Sequence, residues 1–138
     1  VNCSRSGKDP IPFQIKFDII YTRDTIYYLS DSEINFFFKD LVKNINNDGI
    51  IIIQYIENDF HLEPNNPIES INFNLFKDAK LAPIFPVSNP VRFLSAEKLI
   101  NSAKNEKLNL VASKRMLQSY DLNEERFRLD RYLAFKKE

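Results

Sequence analysis

Glycine is nearly absent from this sequence: Gly7 and Gly49 are the only two in 138 residues. A glycine-rich loop of the GxGxxG or P-loop kind, whose backbone cradles phosphate, cannot be written from them. Cys3 is the single cysteine, which excludes an intramolecular disulfide and a thiolate metal cluster. His61 is the single histidine, so no multi-histidine site can assemble, and no metal is expected. Long hydrophobic runs are missing too. The longest aliphatic stretch, Ile50-Ile51-Ile52-Ile53, falls far short of the ~20 residues a membrane helix needs. No signal-peptide pattern opens the chain. The expectation is a cytoplasmic protein without a membrane span. There is no excess of one charge: 19 Lys and Arg balance 19 Asp and Glu. A balanced chain has no field of its own to draw in nucleic acid, so none is expected as a partner. The sequence begins at Val1 and holds one methionine, Met116. That fits a processed chain, a trimmed one or a piece of something longer. With the shortage of glycine, the expectation is a missing front half.

What is present is enough to fold. Apolar residues make up 43% and aromatics 13%, a composition opposite to that of disordered chains. The length suits one domain. Residues 1–15 are polar and interrupted by Pro10 and Pro12, which favours an extended lead-in loop. Phe17-Asp18-Ile19-Ile20-Tyr21 is a short β-branched and aromatic run, the pattern of a strand buried on both faces of a parallel sheet. Ser30-Asp31-Ser32-Glu33 has the S-x-x-E form of a capping box. Behind it Ile34, Phe37, Phe38, Leu41, Val42 and Ile45 recur at helical spacing and form one stripe. Asn46-Asn47-Asp48-Gly49 reads as the helix stop, with Gly49 free to take a left-handed conformation. A second buried strand follows over 50–56. Strand, capped helix, turn and strand make a βαβ unit, whose strands should run parallel.

The stretch 57–94 changes character. Five of the seven prolines fall in it, around a short helix expected over 68–77. Such long irregular insertions are often lids or binding loops. Ser95 caps a further helix running to about Lys107, with Ala96, Leu99, Ile100 and Ala103 on one face. Two strands, over 109–120 and 127–137, are joined by a polar turn over 121–126. In the last of them Phe127, Leu129, Leu133 and Phe135 alternate with polar residues, and Arg131 interrupts the apolar face.

The order β-α-β, insertion, α-β-β resembles the second half of class I S-adenosylmethionine-dependent methyltransferases, a Rossmann-like α/β fold that ends in an antiparallel hairpin. Residues 17–29, FDIIYTRDTIYYL, are similar to that family's strand and following turn. Asp48-Gly49 falls where the family usually has KPGG, and residues 131–137, RYLAFKK, are similar to its GYFxAxK ending. The resemblance covers 17–56 and 95–138. Tyr21-Thr22-Arg23-Asp24 resembles the YSRD of phosphoethanolamine methyltransferases, in which Arg and Asp stand at the substrate pocket. The histidine expected after that motif is Tyr28 here, which puts a carried-over acid–base role in doubt. The family's first strand, glycine-rich loop and ribose-binding acid have no counterpart in this sequence. The resemblance therefore implies S-adenosylmethionine as cofactor only where a companion chain supplies that half.

On this reading Asp24 and Tyr28 orient or deprotonate a small-molecule or peptide methyl acceptor. Arg23, Tyr27 and Tyr55 bind that acceptor, and Tyr21 and Thr22 touch the cofactor. Each has a plainer alternative. Arg23 and Asp24 also fit a surface ion pair, and tyrosines beside a strand end are often core. His61 and Cys3 read as an exposed loop histidine and an inert thiol. Phe36-Phe37-Phe38 is broader than one helix stripe needs and also fits an extra interface. Two functions stay open: part of a methyltransferase, or a non-catalytic interaction subunit of the same half-fold. Both expect a second polypeptide completing the sheet, or a homo-oligomer.

Overall fold

A computed structural model describes residues 9–58, 94–121 and 126–138. Its elements run β1 (Phe17–Arg23), a short 3-10 turn (Ile26–Tyr28), α1 (Asp31–Asn44), β2 (Ile45–Asn58), α2 (Ala96–Asn105), β3 (Leu108–Asp121) and β4 (Arg126–Lys137). The four strands form one mixed sheet in the order β1-β2-β4-β3. β1 and β2 are parallel, as the βαβ reading expects, while β4 runs antiparallel to both β2 and β3. The Pro-rich insertion lies almost wholly outside the described residues, as do Cys3 and His61.

α1 begins where the capping box places it. Ser30 Oγ accepts from Glu33 N at 3.3 Å, and the Glu33 carboxylate accepts from Ser30 N at 2.7 Å. The expected stripe faces inward: Ile34, Phe37, Phe38 and Leu41 are buried, and Phe38 packs edge-on against Phe135 of β4 at 5.9 Å. Phe36, the third ring of the triplet, is exposed. α2 is capped by Ser95 Oγ, which accepts from Lys98 N at 3.2 Å. It buries Leu99 and Ala103 beside α1, and Lys98 Nζ reaches Asp31 Oδ2 at 2.5 Å. Both helices therefore cover one face of the sheet, over Ile51, Ile53, Tyr55, Leu133 and Phe135. The lead-in is tied to this layer, since Ile11 N donates to buried Asp40 Oδ2 at 2.8 Å.

Two expectations are corrected. α1 does not end in a glycine stop: β2 starts directly at Ile45, whose φ is −95°. The register between β1 and β2 slips between Phe17–Ile45 and Ile19–Ile50, so 46–49 form an irregularity in the strand rather than a turn after the helix. Gly49 belongs to that irregularity. A Cβ there would meet Ile45 Cγ1 at 2.7 Å and Asp18 O at 2.9 Å, so close approach of the chain requires glycine. The second correction concerns β1, which is not buried on both faces. Ile19 is 63% and Tyr21 53% exposed, because no described helix covers their side of the sheet. The outer edge of β1 has no strand partner among the described residues.

Candidate functional site

The carboxyl ends of parallel strands are where open α/β sheets place ligands, and here β1 ends at Arg23 beside Gln54 of β2. β1 closes on Arg23, and Asp24 follows with φ 52°, a left-handed conformation that Asp tolerates better than most residues. Asp24 N donates to Gln54 O at 3.0 Å, holding the turn to β2 as the chain leaves the sheet. Thr25 Oγ1 donates to Arg23 O at 3.0 Å and closes the turn. Arg23 Nε donates to Asp24 Oδ2 at 3.3 Å, an exposed pair of the kind that contributes about 0–1 kcal/mol. So weak a pair leaves the Arg23 side chain able to exchange into contacts with a ligand.

Beside this corner a row of polar side chains crosses three strands on the face opposite the helices. Tyr21 Oη donates to Gln54 Oε1, and Gln54 Nε2 donates to Asp130 Oδ2 at 2.7 Å. Tyr132 of β4 stands opposite Gln54 in the register. Burial raises the Tyr21 phenol above its ordinary value, and the Tyr132 phenol adds to the rise. The Arg23 guanidinium opposes it, while the Asp24 and Asp130 carboxylates again favour the neutral hydroxyl.

The structure brings Tyr21, Arg23 and Asp24 together at one corner. Thr22 is half-buried and shares a register position with Ile53, which places it on the helix-covered side. Tyr28 is half-buried and packs against the core from the 3-10 turn. Tyr27 lies in the same turn, and its side chain is outside the described set. Tyr55 is fully buried among core residues on the helix side, apart from the Tyr21 corner. Gln54 and Asp130 were missed by sequence reasoning. The signal for Gln54 was there: it is the one polar residue in the run Ile50-Ile51-Ile52-Ile53-Gln54-Tyr55-Ile56. Asp130 offered none, because it reads as an ordinary outward position of an alternating strand.

No family model matches the sequence, and no curated protein matches it either. Solved structures do. An S-adenosylmethionine-dependent methyltransferase from Methanosarcina mazei superposes with a TM-score of 0.66 at 9% identity, over 97% of this chain and 65% of that one. One from Clostridium acetobutylicum gives 0.59 at 13% identity, over 99% of this chain and 63% of that protein. The fold is the Rossmann-like α/β fold of these methyltransferases. A pericyclic reaction enzyme also superposes, with a TM-score of 0.57 at 9% identity over 98% of this chain and 29% of its own. One architecture thus carries different chemistries, and function has to be argued from the site. The chain spans less than two thirds of the length of each of these three proteins.

Among the described residues Gly49 is the one position at which a glycine could open the backbone to S-adenosylmethionine. A cradle for that cofactor needs backbone open to close approach, and Gly49, the one glycine among the described residues, has its free side filled by Ile45 and the Asp18 carbonyl. Among the described residues no group of three or more His, Cys, Asp or Glu can hold a metal ion, and no helix is long and apolar enough to cross a membrane.

Proposed function

We propose that this chain supplies the acceptor-side half of an S-adenosylmethionine-dependent methyltransferase, and that a second polypeptide carrying the cofactor cradle completes it. The observation that carries this reading is the state of β1. Its carboxyl end holds Arg23 and Asp24 beside β2, while its outer edge has no described partner and its bare face presents Ile19 at 63% exposure. An uncovered strand edge offers a row of unpaired backbone groups, which proteins normally cover or pair. The fold likeness to these methyltransferases supports the methyltransferase part of this reading. In the assembled protein Arg23 takes an anionic group of the methyl acceptor. Asp24 and Tyr28 orient the nucleophile and take its proton, and Tyr27 lines the pocket. The chain would correspond to the second half of the family's domain.

Native mass spectrometry with and without S-adenosylmethionine tests this. The expected result is a complex of this 16.2 kDa chain with a second polypeptide that gains the mass of one cofactor. A lone chain that gains no mass overturns it. A non-catalytic interaction subunit is the second reading, favoured by the filled space around Gly49. It predicts the complex without the cofactor's added mass.

A further inference from the structure

β3 is the edge of the sheet opposite β1, and the roles proposed above use none of it. Every residue from Asn109 to Met116 is exposed, with Leu110 at 37%, Val111 at 51% and Met116 at 36%. Among the described residues β4 is its one strand neighbour, so the backbone groups on its outer side point away from the sheet. The charges on this edge have one sign. From Lys107 to Tyr120 the chain carries Lys107, Lys114 and Arg115 and no acid, although its total charge is zero. β4 sets Tyr132 beside Lys114 and a further cation, Arg131, beside Arg115. Successive strand residues face opposite sides, so Lys114 lies on the bare face of the sheet and Arg115 on the helix side.

A second copy of the chain is a poor occupant of this edge. The two-fold antiparallel pairings that overlap most of β3 are centred on Lys114 or on Arg115, and each sets a cation against its own twin. The register to β4 slips at Val111, and such a bulge is another device that keeps an edge from joining its own kind. Charges that deter a like strand attract an opposite one. We propose that the outer edge of β3 takes an extended acidic segment of another protein by strand addition, with two consecutive acids, one opposite Lys114 and one opposite Arg115. Residues directly opposite in a ladder share a face, so adjacent acids meet both cations, while acids two apart meet only one. Backbone hydrogen bonds supply the binding and the acid pair sets the register. Apolar residues of the segment cover Val111 and Met116. This edge is separate from β1, and the proposal does not rest on the methyltransferase reading.

The test is amide NMR of the full chain titrated at matched ionic strength with end-blocked peptides of valine and threonine. They carry Glu-Glu, Glu-Thr-Glu or Lys-Lys at the centre. Glu-Glu is expected to bind about threefold tighter than Glu-Thr-Glu, the weight of one cross-strand charge pair, and Lys-Lys to leave the spectrum unchanged. At saturation the outward amides of β3 should exchange with solvent on the order of tenfold more slowly. Lys114→Glu combined with Arg115→Glu changes two exposed side chains and should leave the fold intact. It should reverse the order, so that Lys-Lys binds and Glu-Glu does not. Equal binding of Glu-Glu and Glu-Thr-Glu, spectral shifts without slowed exchange, or an unreversed order in the double variant overturns the proposal. A thymidine oligonucleotide bound as tightly as Glu-Glu also overturns it, by making the edge a plain polyanion site. So does protection of β3 that grows with protein concentration alone, which makes a second copy the occupant.

Discussion

At the scale of single residues, the Tyr21 corner makes pH a usable probe. Its phenol is raised above its ordinary value by burial first and by Tyr132 second. A group whose folded-state value lies above the unfolded one contributes stability that is fully present below the unfolded value, about 10 for tyrosine, and lost as pH rises through the folded value. Denaturant titrations at pH 9 and 11 should therefore show wild type losing more stability than Tyr21→Phe over that interval. A parallel loss in both would place the titration elsewhere. Gly49 gives a steric prediction. Gly49→Ala puts a methyl 2.9 Å from the Asp18 carbonyl and against a fully buried Ile45, so about 1–3 kcal/mol of stability should be lost. Urea unfolding measures it. Gly49 was read as a helix stop because Asn-Asp-Gly is turn chemistry, and that local signal could not reveal that Asp18, 31 residues earlier in the chain, would lie against it.

At the scale of elements, α1 was the most legible part of the chain. Its capping box and its 3–4 stripe are both local patterns, and both survive into the fold because the sheet needs one apolar helix face. Ser30→Ala should remove about 1 kcal/mol, the usual weight of an N-cap hydroxyl, readable as a lowered urea midpoint at unchanged slope. Phe38→Ala should cost about 3–5 kcal/mol, since its ring is fully buried against Phe135. The strands were legible as strands, but their faces were not. The run Phe17-Asp18-Ile19-Ile20-Tyr21 looks buried on both sides, yet only the side towards the helices is covered by the described residues. Whether a strand's second face is covered depends on what packs there, and alternation within five residues carries no information about that.

At the scale of the molecule, the sheet order β1-β2-β4-β3 has both α1 and α2 on one side and, among the described residues, β1 at an edge. If a partner chain packs on the bare side, Ile19→Lys should abolish the complex in native mass spectrometry. As Ile19 is already 63% exposed, the change should alter the chain's own stability by no more than about 0.5 kcal/mol. A complex that survives the substitution would put the contact on another surface.

The sequence by itself determined the helix with its N-terminal capping box, the parallel βαβ order, the closing hairpin and the position of Arg23 and Asp24 at a strand end. All of these follow from neighbours within about one helical turn or from the order of elements along the chain. Only the tertiary structure decided that Tyr21, Gln54 and Asp130 form one row. Gln54 and Asp130 stand 76 positions apart and meet because β4 comes back antiparallel beside β2. A polar contact of that kind is set by strand register across the sheet, a relation that no local pattern of residues encodes.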